Sequence, residues 1–280
     1  MYFMNFEQLV YEEKDQVAWI TLNRPEALNA LSMKLSDEIV EAVERVRQST
    51  KLKFLVIKGA GENFCVGDDI KEMIKWGDAN EITRRARYYQ NMANQLEELD
   101  KITIAAVDGY AVGGGLEITM AVDFVIATER AKWGMPEVDV GITPGWGGTT
   151  RLARLIGRRR TKEINLIGAL HNAKRAVEWN LWNRVVPNDQ LDVEVESLLE
   201  VLRSKNQQGM RQLKFIINRG VECDLYTAQG FEVLSAGLTA AVSGFWKIKD
   251  ADQGKGVLGF SRKDSLWNKR RTLARDFWAD

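Results

Sequence analysis

The stretch Val107-Asp-Gly-Tyr-Ala-Val-Gly-Gly-Gly-Leu-Glu117 constrains this chain more than any other. An apolar run from Ile102 to Val107, broken only by Thr103, predicts a buried strand. Three consecutive glycines then free the backbone, and an apolar, helix-compatible segment carrying Glu117 follows at once. Such a strand-to-helix turn presents oriented backbone N–H groups with a carboxylate beside them. On these residues alone, close packing explains the glycines as well as a ligand does, because an acid in the first turn of a helix is favoured by the helix dipole.

The rest of the chain narrows the chemistry. A length of 280 residues admits one large domain or two, and 45% hydrophobic content is enough for a substantial core. With 39 basic and 39 acidic side chains, no charge bias points to nucleic acid, an anionic membrane or a strongly charged partner. Cys65 and Cys223 stand far apart without metal-ligand spacing, which suits buried thiols in a reducing compartment. The first residues have neither a basic n-region nor a long apolar h-region, so no signal peptide is expected. The longest uncharged run, Val233 to Trp246, is about 14 residues and too short to span a bilayer. A cytoplasmic protein is the expectation.

Histidine is scarce in a telling way. The single one, His171, excludes a multi-histidine metal site and would have to serve any Ser-His-Asp or Cys-His catalyst by itself. It lies in what reads as a helix-to-helix connection, which favours a structural or surface role. Proton transfer near neutral pH would then fall to carboxylates with raised pKa values. No P-loop pattern occurs, which argues against a nucleotide hydrolase of that kind.

In order along the chain, Phe6 to Leu22 alternates and predicts a hairpin with Glu13-Lys-Asp-Gln as its turn. Ser32 caps an expected helix of about fifteen residues in which Leu35, Ile39, Val43 and Val46 recur at helical spacing. Lys53 to Lys58 reads as a short central strand. Asp69 is placed to cap a helix starting near Ile70, and residues 72–100 read as a charged, solvated helix. Asp123 to Ala127 is strand-like, and Val138 to Thr150 is too rich in glycine for regular structure. Arg151 to Gly168 resumes helix. The alternation suggests βα units with crossover connections, and from about Asp192 the pattern turns almost wholly helical.

Five segments now stand in order: Asn23-Arg-Pro-Glu-Ala-Leu-Asn-Ala-Leu31, Phe64-Cys-Val-Gly-Asp-Asp-Ile-Lys-Glu-Met73, Gly109-Tyr-Ala-Val-Gly-Gly-Gly-Leu-Glu117, Gly134-Met-Pro-Glu137 and Pro144-Gly-Trp-Gly-Gly-Thr149. Each alone is weak, but together they resemble the crotonase, or enoyl-CoA hydratase/isomerase, superfamily from about Phe6 to about Phe260. The resemblance implies an α/β fold, a spiral of repeated ββα units over residues 1–195. A helical oligomerisation subdomain would follow over 196–280, building a homotrimer or a homohexamer made as a dimer of trimers. It implies an enoyl-CoA hydratase or dehydratase with no cofactor beyond the CoA moiety of the substrate. The backbone N–H groups of Asp68 and Gly114 would form the oxyanion hole, Glu117 and Glu137 would be the acid/base pair, and the backbone of Gly145 would position water. Ala27, Leu28, Ala30, Val66, Asp69, Ile70, Gly113, Pro136, Phe260 and Lys263 fall on positions expected to meet the acyl-CoA.

Three positions depart from the pattern of the family. Asp68 stands where alanine is usual, Glu26 where a base is common, and Trp146 where a small residue is expected; with Trp133, Trp146 would narrow the acyl pocket. The tryptophans keep open a lyase, hydrolase or isomerase acting on a cyclic or aromatic acyl-CoA. A remoter alternative, an RNA-binding homologue, would rest on Arg84–Arg87 and Arg158–Arg160, and the balanced charge argues against it.

Overall fold

The computed structural model describes residues 6–243. Strand β1 (Leu9–Lys14) and strand β2 (Val17–Leu22) form the expected hairpin. Its turn is tighter than Glu13–Gln16. Lys14 pairs with Val17, leaving Asp15 and Gln16 as a two-residue loop with φ of 50° and 69°, the left-handed pair that matches the twist of adjoining strands. Helix α1 (Met33–Gln48) starts where Ser32 Oγ accepts from the Leu35 N–H at 3.0 Å. Leu35, Ile39, Val43 and Val46 are all buried, so the helical spacing of the sequence does mark its inward face.

Strand β3 (Phe54–Gly59) is followed by a one-turn helix α2 (Ile70–Met73), whose first N–H groups Asp69 caps at Lys71 N, 3.0 Å away. The charged segment after it is not one helix. Asp78 caps a new one, α3 (Ala79–Glu97), and α3 is not merely a solvated face, because Tyr89, Met92, Ala93 and Leu96 are buried. Strand β4 (Ile102–Val107) is buried at every position. Then come β5 (Tyr110–Val112), helix α4 (Gly114–Thr119), β6 (Phe124–Thr128) and β7 (Lys132–Gly134). A 3-10 turn spans Glu137–Val140, and helix α5 (Thr150–Ile167) kinks at Gly157. Strand β8 (His171–Asn172), helix α6 (Ala173–Glu178) and strand β9 (Arg184–Val186) complete this part. His171 is thus a strand residue paired with Trp133, not part of a helix-to-helix connection; the short segment is recruited by β7 rather than by its own pattern.

The main sheet has the order β1-β2-β3-β4-β6-β9 and is parallel except at β1. A second sheet, β5-β7-β8, carries the connections. Parallel neighbours require crossovers, and the segments that begin at Asn23 and Gly109 start just past the C-terminal ends of β2 and β4. The chain divides into two compact units between Val195 and Glu196, a boundary that falls within helix α7 (Leu191–Arg203). In the second unit, α8 (Gln207–Gly220) and α9 (Leu225–Ser243) pair as a helical hairpin, with the Phe215 and Phe231 rings 5.7 Å apart. None of the described helices is long and apolar enough to cross a membrane.

Candidate active site

The site grows from the turn between β5 and α4. Gly113 has φ of 52°, a conformation that side-chain-bearing residues rarely take, and a Cβ there would lie 3.0 Å from Oε1 of Glu137. Its glycine therefore permits both the turn and the close approach of the carboxyl from the 3-10 turn. Gly114 is the first residue of α4, so its N–H is among the helix's free donors.

The second donor comes from the segment before α2. Cys65 to Gly67 runs beside β5, with Cys65 N donating to Tyr110 O at 2.8 Å and Val112 N to Cys65 O at 3.0 Å. At Gly67, φ is 90° and a Cβ would fall 2.9 Å from Gly114 N. Leu31 then bridges Asp68 in parallel fashion: Leu31 N donates to Gly67 O at 2.8 Å and Asp69 N to Leu31 O at 3.0 Å. In such a bridge the N–H of the central residue, Asp68, points away from Leu31. Two expected donors 46 positions apart in sequence thus belong to neighbouring backbone segments.

Glu117 sits one turn into α4 and is 1% exposed. Its Oε1 accepts from Trp146 N at 3.0 Å and Gly148 N at 2.7 Å, so the glycine-rich loop after Glu137 closes onto it. Burial pushes its pKa up to about 8 against the opposing pull of those two N–H groups, with the charges of Asp68 and Glu137 adding to the rise. Burial also raises Glu137, whose Oε2 is sealed from solvent and has no hydrogen-bond partner. Three carboxyl groups, not two, share this space. Asp68 turns inward: its Oδ1 is sealed and unpartnered, and burial, then the charge of Glu137, raise its pKa to about 7 while a hydrogen bond from the Trp146 side chain lowers it.

Trp146 is itself a wall of the site. Its Cζ2 would be 2.5 Å from a Cβ on Gly114, and its ring stacks on Tyr89 from α3 with centroids 5.3 Å apart. Gly145 is tied to the same helix, its carbonyl accepting from Gln90 Nε2 at 2.8 Å. Trp133 does not join this wall. It is buried in a cluster with His171, Trp179 and Trp182, and its indole donates to Asn172 O at 2.9 Å. His171 meets Arg175 at 2.8 Å, and its pKa is depressed by burial and by that guanidinium. Burial drives the Cys65 thiol up to about 12, which disqualifies it as a nucleophile near neutral pH.

Of the residues expected to meet acyl-CoA, Ala27, Leu28 and Ala30 lie on the loop that the Leu31 bridge fastens beside Val66, Asp69 and Ile70. Arg24 holds the two together, donating to Ala30 O at 2.6 Å and pairing with Asp69 at 2.9 Å. Leu28 and Ile70 leave apolar surface exposed there. Glu26 is exposed beside them, and Pro136 sits directly before the Glu137 turn. Phe260 and Lys263 lie outside the described residues. Sequence reasoning missed Tyr89 and Gln90, hidden in a segment that reads as solvated, and it left open where the Asp68 side chain points. The arginines that a nucleic-acid reading needs are partly engaged: Arg84 and Arg85 both pair with Glu81, and Arg160 stacks over Trp179 at 5.0 Å. Among the described residues no cluster of three histidine, cysteine or acidic side chains is arranged to hold a metal ion.

Residues 12–263 match the family described as enoyl-CoA hydratase/isomerase. The chain is 36% identical to a crotonyl-CoA hydratase of Syntrophomonas wolfei over 93% of its own length and 97% of that protein. It is also 36% identical to a short-chain-enoyl-CoA hydratase of Clostridium acetobutylicum, covering 82% of this chain and 88% of that one. The solved enoyl-CoA hydratase of Bacillus anthracis superposes with a TM-score of 0.81 at 30% identity, over 88% of this chain and 97% of the other. With its α/β fold and this breadth of likeness, the chain belongs to the enoyl-CoA hydratase/isomerase family, the crotonase superfamily.

Proposed function

We propose that the protein is an enoyl-CoA hydratase, a hydro-lyase that adds water across the double bond of an α,β-unsaturated acyl-CoA thioester. The observation that carries this reading is the convergence of the buried Glu117 carboxyl and the half-buried Glu137 carboxyl beside the first N–H of α4. The names of its relatives point the same way.

In the proposed mechanism the thioester oxygen accepts hydrogen bonds from the N–H groups of Asp68 and Gly114. As water attacks the β-carbon, charge moves onto that oxygen, and the two fixed donors hold the enolate more strongly than the ground state. Each such donor contributes about 3 kcal/mol in comparable sites. One glutamate, ionised, takes a proton from the attacking water; the other, protonated, gives its proton to the α-carbon. Burial raises both carboxyls, and the charge of Glu137 adds to the rise of Glu117, which favours one of the two holding a proton. The unpartnered Oε2 of Glu137 supplies a free acceptor for the water, and the Gly145 backbone would help to place it. Glu117 is oriented by two N–H bonds, which leaves its Oε2 for the chemistry. These steps call for no metal and no redox cofactor.

CoA would enter along Ala27, Leu28, Ala30, Val66, Asp69, Ile70, Gly113 and Pro136, where exposed Leu28 and Ile70 offer cover for pantetheine. For the helical unit we propose assembly into trimers, paired or not, on the strength of the exposed Leu225, Tyr226, Val233 and Leu234. The Trp146–Tyr89 stack gives a second reading some support, an isomerase or hydrolase for a flat cyclic acyl group. Product analysis on short, long, branched and cyclic enoyl-CoAs is the test. Hydroxyacyl-CoA formation supports hydration, whereas exclusive double-bond migration or CoA release replaces it with the second reading.

A further inference from the structure

Hydration as proposed accounts for two carboxyl groups, and the site holds a third. Oδ1 of Asp68 and Oε2 of Glu137 are both sealed from water and both lack a hydrogen-bond partner. The reacting water answers the need of Glu137. Nothing in the reaction answers that of Asp68. Trp146 supplies one hydrogen bond to this carboxyl, yet Oδ1 still has no partner. Nor do the other neighbours help: the Tyr89 hydroxyl lies against Met33 Sδ at 3.7 Å, and the Cys65 thiol faces the Gly67 N–H at 3.4 Å.

Because its own N–H is the proposed oxyanion donor, the Asp68 side chain lies within one residue's reach of any acyl group held there. A hydrocarbon acyl chain would bury that oxygen without a partner, and such a vacancy is what lets polar sites reject apolar analogues. From this we infer that Asp68 makes the acyl subsite selective for an enoyl-CoA whose acyl group carries a hydroxyl beyond the double bond. A hydroxyl both donates and accepts, so it pairs with Oδ1 whether or not the acid holds its proton. The inference rests on the enoyl-CoA reading above and adds the class of acyl group.

The test compares kcat/KM for crotonyl-CoA and 4-hydroxycrotonyl-CoA in the wild type, Asp68→Ala and Asp68→Asn. The alanine variant keeps the backbone N–H. The wild type should favour the hydroxylated substrate by about ten- to a hundredfold. Asp68→Ala should lose that preference while gaining on crotonyl-CoA, and Asp68→Asn, which can still accept and donate, should retain much of it. A wild type that favours crotonyl-CoA, or a ratio unchanged by Asp68→Ala, overturns the inference. If Asp68→Ala does not fold, Asp68→Ser and Asp68→Asn are compared in the same way. Binding of butyryl-CoA and 4-hydroxybutyryl-CoA by calorimetry separates the two readings. A binding preference without turnover of either substrate sinks the hydratase and keeps the selectivity. Equal hydration of both substrates without any binding preference does the reverse.

Discussion

Two buried glutamates in this protein show what distinguishes a structural carboxylate from a reactive one. Glu38 on α1 is 4% exposed, and its two oxygens accept from the Glu7 and Gln8 N–H groups, each at 2.9 Å, with Lys34 nearby at 3.6 Å. Every lone pair that matters is used, and the group ties the N-terminal strand to the helix. Glu117 is buried as deeply, but only Oε1 is held, and its neighbours are two more acids instead of a lysine. Burial is therefore common to both. What differs is whether the surroundings complete the hydrogen bonding or leave it open for a ligand.

The largest expected effect tests the open side. Glu117→Gln and Glu137→Gln should each lower kcat by about a thousandfold or more while CoA-product affinity holds, since general acid–base groups contribute on the order of 100- to 10,000-fold. Near-normal turnover in either variant removes that residue from the proposed pair. Next, Gly113→Ala should cut kcat by about ten- to a hundredfold, because it strains a φ of 52° and sets a methyl 3.0 Å from the Glu137 carboxyl. Normal kinetics in that variant would show that Glu137 has room to spare.

The closed side should behave differently. Glu38→Ala should cost about 1–3 kcal/mol in denaturant unfolding, the range for orphaned buried donors, with turnover per folded molecule unchanged. If kcat falls instead, the distinction between the two glutamates fails. The smallest effect is on the pH dependence of stability. Native Glu117 keeps its proton up to about pH 8, whereas an unfolded glutamate releases it above its ordinary value near 4.5. Unfolding then releases a proton across that window, so stability falls as pH rises from about 4.5 to about 8 and the loss is complete above it. Per proton, the slope is at most about 1.4 kcal/mol per pH unit, and Glu117→Gln should flatten it by up to that amount; an unchanged slope would mean that Glu117 is ionised in the native state.

How much of this was legible beforehand depends on whether a feature is local. The Ser32 cap, the inward face of α1, the buried strand β4 and the glycine turn are written in neighbouring residues, and each formed where its pattern put it. The five motif segments revealed the family for the same reason. Features made by distant contacts were not legible. His171 became a strand residue because β7 offered an edge, Tyr89 and Gln90 turned inward because α3 meets the loop at Gly145 and Trp146, and Trp133 was drawn into an aromatic cluster away from the glutamates. The hairpin turn contracted to Asp15-Gln16 because strand pairing continued through Glu13 and Lys14.

The bridge between Leu31 and Asp68 has a kinetic meaning as well. It joins segments on either side of α1 and β3, while Gly114, Glu137 and Trp146 arrive from later crossovers. No short contiguous stretch of the chain contains the site. Loop closure must be completed several times over before the carboxyls meet, and non-local pairing is the slow part of folding. Regain of catalytic activity during refolding should accordingly trail the recovery of helical circular dichroism, making turnover a late clock for the assembly of the whole sheet.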